Sequence, residues 1–289
     1  MQRAKVRGPR IGRLVARVRA RRARGLIRHT PHPGGRLARW RVRLPVVAPG
    51  AGAGGIGDSR DFAGRVLVRP FAECGVPALT HLALGAAGTI GRKDGSAATP
   101  DLPTYNSAGQ QSAFFAYASS GTTKLDSSVA AGAASRITGH GYWYAWRLGA
   151  LGEYVTSWQR VARDSAAGTV RNEGASATVS FELTPDHGSY DGVVPARPLD
   201  PALGHWGALE LVGRYSSLHV GSTAFRDGFA DPTKSARAAS AWAYGVNWFL
   251  NRFIRLQIDY ERTLFVGGAP AGGNREPENA VLAELQAAF

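Results

Sequence analysis

From residue 58 onward the chain alternates. In "AWAYGVNWFL" Trp242, Tyr244, Val246, Trp248 and Leu250 share one parity, and Ala241, Ala243, Gly245 and Asn247 share the other. A short "LNR" turn leads into "FIRLQIDYERTLF". There Ile254, Leu256, Ile258 and Tyr260 oppose Arg255, Gln257, Asp259, Glu261 and Thr263. Period-two alternation of this kind predicts strands with one apolar and one hydrated face. The same pattern predicts strands near 62–71, 79–91, 111–118, 135–146, 149–163, 169–184, 205–217, 238–250, 253–265 and 278–289, separated by Gly/Pro/Asp/Asn/Ser loops. Several exceed the five or six residues usual in soluble sheets.

Two folds share this pattern. A soluble sandwich would bury the apolar parity against a second sheet, whereas a transmembrane barrel would turn it to lipid. The last segment favours the barrel: Val281, Ala283, Leu285, Ala287 and Phe289 form one apolar parity up to the carboxylate. A soluble sheet edge of that kind invites pairing with other chains. Long strands with short turns on alternate sides and longer loops between them, and aromatics near strand ends (Trp242, Trp248, Tyr260, Phe265), fit the same reading. The expectation is an all-β fold: an antiparallel up-and-down transmembrane β-barrel, partial, of about ten strands.

Composition divides the chain at residue 57. Residues 1–57 hold 15 Lys/Arg and no Asp or Glu, so the net charge of +14 belongs to this leader; residues 58–289 carry 20 Lys/Arg against 21 acids. The leader lacks a packable core and is expected to be disordered. "RIGRLVARVRARRARGLIR" could form a basic helix with Ile11, Leu14, Val15 and Val18 on one side. Such an arm would suit RNA or a membrane surface, or an Arg-rich transit peptide, although Ser is absent. Repeated Arg, Ala, Gly and Pro without acids also resembles translation of GC-rich DNA outside its frame, and this is the reading preferred here. The leader has no apolar run of the kind a secretory signal needs. Nor does any run of about 18 apolar residues exist to make a membrane helix. The single cysteine, Cys74, excludes an internal disulfide.

Several ordered stretches carry a family resemblance. They are "FAGRVLVRPF" followed by "LTHLALGAAGTIG", "ALGEYVTSWQRV", "GSYDGVVPARPLDPALGHWGALELVGRYSSL", "FADPTKSARAASAWAYGVNWFLNRFIRLQIDYERTLFVGG" and the closing "ELQAAF". Over residues 58–289 the chain resembles the C-terminal part of the phosphate-selective porin O and P family, trimeric outer-membrane barrels of Gram-negative bacteria. The chain departs from the family at Thr184-Pro185-Asp186, where members read Thr-Gly-Glu. The resemblance implies a barrel of about 16 strands, so ten strands imply a truncated porin. It also implies an outer-membrane location, lipid and small anions as partners, a homotrimer, and passive diffusion of phosphate or related anions.

Anion passage asks for Arg or Lys facing water, and the planar guanidinium fork suits phosphate. Parity nominates Arg65, Arg69, Glu153, Glu210, Arg214, Arg255, Asp259 and Glu261 as pore-lining. The competing reading makes them ordinary wall residues in ion pairs, Glu210 with Arg214 on one strand and Arg255 with Asp259 or Glu261. The sequence carries no catalytic, metal or cofactor motif: the seven His lack metal spacing, and His187 with Asp186 and Asp191 reads as a solvated turn. "GAAGTIG" lies on a strand with no helix behind it, unlike a nucleotide fingerprint. The alternatives to a channel are a barrel fragment that does not conduct and, less favoured, nucleic-acid binding through the basic leader.

Overall fold

The structure, a computed structural model, describes residues 39–43, 48–49 and 60–288, apart from 110–111, 120–122, 124–125 and 191. The chain divides into two compact units, Met1–Arg36 and Leu37–Phe289. The first, with the basic helix expected there, lies outside the described residues, as do Asp191 and the terminal Phe289.

The second unit is built on one antiparallel sheet in which chain order is spatial order. Its strands are β1 (Arg39–Arg43), β2 (Ala48–Pro49), β3 (Arg60–Arg69), β4 (Ala83–Asp94), β7 (Val129–Ala145), β8 (Leu148–Arg163), β9 (Ala166–Glu182), β10 (Ala208–Val220), β11 (Ala236–Phe249), β12 (Ile254–Gly267) and β13 (Glu278–Ala287). They run β1-β3-β4-β7-β8-β9-β10-β11-β12-β13, with β2 also paired to β3. The fold is thus all-β, up-and-down and barrel-like. Among the described residues β1 and β13 do not pair with each other. Strand pairing begins upstream of the composition break, since β1 and β2 lie within 1–57.

Nine of the ten expected strands are present; the one read at 111–118 is corrected. That region holds only β6 (Ala113–Phe115), paired with β5 (Tyr105–Asn106) in a separate two-stranded sheet. The reason is visible in its side chains. Phe114 and Phe115 are adjacent, yet both are buried, whereas a wall strand would place them on opposite faces. The 95–128 segment between β4 and β7 instead packs its aromatics on one face of the large sheet. Phe114, Phe115 and Tyr117 cluster with Val161, Val170, Val220, Ala239 and Phe265 of the five successive strands β8 to β12. At its far reach Ser107 and Ser112 donate to Glu278 at the start of β13. This sheet face is called the covered face below, and the opposite one the bare face.

Connections of both lengths occur at both ends. The end bearing the 164–165 turn (upper) also bears the 95–128, 221–235 and 268–277 segments; the end bearing the 146–147 turn (lower) bears 70–82, 183–207 and 250–253. Short turns therefore do not alternate with long loops from end to end, contrary to the expectation. The 250–253 turn is closed by Asn251, whose Oδ1 accepts from the amides of Phe253 and Ile254. Among the described residues no helix is long and apolar enough to cross a membrane; the two α-helices described, α1 (Pro77–Thr80) and α2 (Thr223–Arg226), are single turns.

Candidate functional site

Strand register fixes which side chains share the covered face. Across β9, β10, β11, β12 and β13 the row Glu182–Glu210–Asn247–Gln257–Glu284 is hydrogen-bonded strand to strand, and two rows on lies Thr178–Arg214–Ala243–Glu261–Ala280. Both belong to the face on which the 95–128 segment sits, because Phe265 and Ala239 of the aromatic cluster have the same parity. By the same test Arg65, Arg69, Glu153, Arg255 and Asp259 lie on the covered face, so all eight nominated residues share it.

They do not form one cluster. Arg214 meets Glu261 at 3.0 Å by reaching over Ala243, the small residue between them on β11. Glu261 is buried, whereas nearly half of the Arg214 side chain is exposed. Glu210 does not pair with Arg214; it accepts from Asn247 Nδ2 at 2.6 Å. Asp259 is engaged by Gln257 Nε2. Arg255 makes no salt bridge with Asp259 or Glu261; its guanidinium lies 5.9 Å from the centre of the Phe249 ring. The ion pairs of the competing reading do not form: Glu210 and Arg214 reach partners across strands, whereas Asp259 takes Gln257 of its own strand. Neighbouring strands bring covered-face side chains one row apart, whereas i and i+4 on one strand are about 13 Å apart.

Further along the same face, on β3 to β8, Arg65 Nη2 donates to His140 Nε2 at 2.8 Å, across β4. His140 is paired in register with Glu153. Arg65, His140 and Glu153 line a hollow of about 300 Å³ together with Thr138, Tyr142 and Tyr190. Arg69 ends β3 and is tied to the connection after it, donating to Thr80 O at 3.1 Å. Gly245 shows how closely this face is packed: a Cβ there would lie 1.7 Å from Asp259 Oδ1, so the carboxylate occupies the space of the missing side chain.

Sequence parity also implied, without singling them out, Lys93, Arg136, His140, Glu182, Glu278 and Glu284. With them the covered face becomes unequal. On β3, β4, β7 and β8 its charges include Arg65, Arg69, Lys93 and Arg136 against Asp61 and Glu153. On β9 to β13 they are Glu182, Glu210, Asp259, Glu261, Glu278 and Glu284 against Arg214 and Arg255. Near the lower end the 183–207 segment also folds over this face. Tyr190 stacks on Tyr142 with centroids 4.4 Å apart, and Val193 packs with Ala208 and Phe249. Near the upper end Tyr105 accepts from Asn172 at 2.9 Å. Burial pushes the Tyr105 and Tyr117 hydroxyls above the usual range, so both stay protonated.

The bare face is apolar and uncovered. Ile258, Trp242 and Leu285 are 49%, 50% and 70% exposed. Trp248 and Tyr260 share this face with Trp242, as expected of a girdle. Phe265 does not: it has the parity of Thr263, packs 5.9 Å from the Phe114 ring, and is corrected to the covered face.

The upper border of the bare apolar surface is regular. Moving up each strand, the first non-aromatic polar residue is Arg262 on β12, Ser240 on β11, Ser217 on β10, Glu173 on β9, Thr156 on β8, Ser135 on β7 and Arg92 on β4. The hydrogen-bonded row through Arg262 runs Trp242–Tyr215–Ala177–Gly152–Gly141–Leu84, reaching β4 eight residues short of Arg92. Six strand steps are about 29 Å and eight residues about 26 Å. The border thus climbs across the sheet at roughly 42°, the slope of strands inclined at that angle to a level band. Tryptophans sit at both borders: Trp242 and Trp158 at the upper, and Trp248 at the lower, where it donates to Trp206 O.

Residues 40–263, about three quarters of the chain, match the family model for phosphate-selective porin O and P, and the chain belongs to that family. The match starts upstream of residue 58 and ends before β13. No curated protein matches the chain.

Proposed function

We propose that this porin-family chain forms the wall of an outer-membrane channel through which phosphate and related small anions diffuse. Its bare face meets lipid and its covered face meets water. The observation that carries the proposal is the sloped apolar border. A slope of roughly 42° lies within the 35–45° at which barrel strands cross a bilayer. A soluble sheet has no reason to expose Ile258 and Leu285 while burying Glu261. From Ile254 to Arg262 the apolar stripe of β12 rises about 20 Å along such a tilt, near the roughly 25 Å band of outer-membrane barrels.

On this reading Arg65, Arg69, Arg255, Arg214 and the four nominated carboxylates line the pore. The anion path follows the β3–β8 side, where cations outnumber acids; the β9–β13 side repels anions. The 95–128 and 183–207 segments narrow the passage from its two ends. Arg65 is exposed and, among the described residues, makes its hydrogen bond to His140 Nε2 and no ion pair, which leaves its charge available to a passing anion. Binding through one or two such guanidinium groups stays weak enough for release.

Bilayer recordings of the purified chain under a salt gradient test this. The expected result is an anion-directed reversal potential that falls toward zero, with about a twofold or greater drop in the anion/cation permeability ratio, in Arg65→Ala with Arg136→Ala. A cation-directed potential in the unsubstituted chain rejects the anion path. A second reading has one observation in its favour, the missing pairing between β1 and β13. A wall that does not close conducts nothing, and protein that inserts without discrete current steps selects it.

A further inference from the structure

At the upper border on β4 and just above it on β8, beyond Thr156 and Trp158, stand two cations with no ion-pair partner. Arg92 and Arg160 point from the bare face and are exposed, and neither makes an ion pair among the described residues. They are brought together by a bulge in β7. The register of β7 against β8 shifts between Ala130 and Ala134, opposite Arg160. At its centre Gly132 has φ +126°, a conformation that favours glycine. A Cβ on Gly132 would lie 3.5 Å from Arg160 Cδ and 3.6 Å from Arg92 Nη2. The bulge thus opens a gap flanked by both side chains. Asp94, two residues along on the same face, pairs with neither. The neighbouring Arg171 is different, since Glu173 already neutralises it and its guanidinium lies over Trp158.

Below Arg92 the bare face of β4 is apolar, and below Arg160 comes Trp158. Ile90 precedes Arg92 by one row and is 63% exposed; the exposed Phe62 lies beside it, and the exposed Ile137 one row lower on β7. Two unpaired guanidinium groups at and just above the border of an apolar strip complement a molecule with an anionic head and hydrocarbon tails.

We propose that Arg92 and Arg160 hold the phosphate of an anionic lipid headgroup, whose chains lie along Ile90, Phe62 and Ile137. This rests on the reading that the bare face meets lipid. The occupant is a lipid rather than free phosphate, because the cations stand at the apolar border and on the face opposite the channel residues. Each guanidinium offers parallel N–H donors to phosphate oxygens, and the interface screens charge less than bulk water does.

The whole chain, folded in neutral detergent, is exposed to phosphatidylglycerol and phosphatidylcholine, with and without inorganic phosphate, and retained lipid is counted by native mass spectrometry. Phosphatidylglycerol should be retained about tenfold over phosphatidylcholine and should survive an equal concentration of inorganic phosphate. Arg92→Gln with Arg160→Gln should bring the two lipids to parity, whereas Arg92→Lys with Arg160→Lys should keep most of the preference. Arg226→Gln with Lys234→Gln, an equal charge loss in the segment after β10, should leave it unchanged. An unaltered preference in the double Gln variant, or displacement by inorganic phosphate, overturns the proposal. Failure of the lipid-facing reading looks different: neither lipid is retained by any variant.

Discussion

The two faces of β12 have the same backbone and opposite chemistry. On one, Glu261 and Thr263 are buried and Arg214 reaches across to neutralise the carboxylate; on the other, Ile258 and Tyr260 stand exposed. The polarity of a soluble sheet is reversed. Exposed apolar side chains lose stabilisation in water at about 25 cal/mol per Å², and an unpaired buried carboxylate would cost several kcal/mol. Both become reasonable at once if the solvent on the bare side is hydrocarbon and the covered side is hydrated. The sheet then has no core of the soluble kind, except where the 95–128 segment builds one against the covered face at the upper end and, on a smaller scale, where Val193 packs on Ala208 and Phe249 at the lower end.

That exception predicts the largest effect. Phe114→Ala removes a fully packed ring that touches Phe265 and faces Tyr105, and should cost about 3–5 kcal/mol if the segment cannot collapse into the space. Urea-induced unfolding in bilayers measures it, and bilayer recordings should show larger single-channel current as the segment loosens. A loss below 1 kcal/mol would mean that the segment is held by its hydrogen bonds to Glu278 rather than by packing.

A charge placed on each face sharpens the contrast. Ile258→Lys, near the middle of the bare stripe, should destabilise by about 2–4 kcal/mol in a bilayer, the cost of a cation against lipid. Gln257→Lys, the adjacent residue on the covered face, lies beside Asp259 and should cost under about 1 kcal/mol. Equal costs would remove the distinction between the faces.

Arg214→Ala tests the covered face alone. It leaves Glu261 buried without its cation and should cost about 1–3 kcal/mol, less than a fully buried pair because Arg214 is half-exposed. Adding Glu261→Gln should recover part of the loss, since the neutral amide needs no cation. No recovery would mean that Arg214 acts by packing its stem rather than by its charge.

The faces were legible in the sequence because strand periodicity has an integer period. Once Trp242, Tyr244 and Val246 are read as one parity, Ala243 and Asn247 have no other place to go. Phe265 shows the limit of composition: its aromatic ring suggests a girdle, but its parity with Glu261 and Thr263 puts it on the covered face. The partner of each charge was not legible. Arg214 finds Glu261 through the register of two strand pairs, and register depends on turns and on the neighbours' patterns. The 95–128 segment was least legible of all. "SAFFAYA" has strand composition, and only its adjacent buried rings, seen against β8 to β12, show that it lies on the wall rather than in it. The charge imbalance of the covered face depends likewise on strand order, because Arg65, Lys93, Arg136 and Glu153 are scattered over some 90 residues and converge only in the sheet.

The central claim is that the bare face touches hydrocarbon and the covered face touches water. With Cys74→Ser as background, single cysteines at positions 256 to 261 can be spin-labelled, and the reconstituted protein probed by power saturation with oxygen and with a water-soluble nickel chelate. Strict alternation is expected, with oxygen accessibility highest at 256, 258 and 260 and nickel accessibility highest at 257 and 259. Labels at 256, 258 and 260 that neither reagent reaches would place those side chains inside a protein core and contradict it.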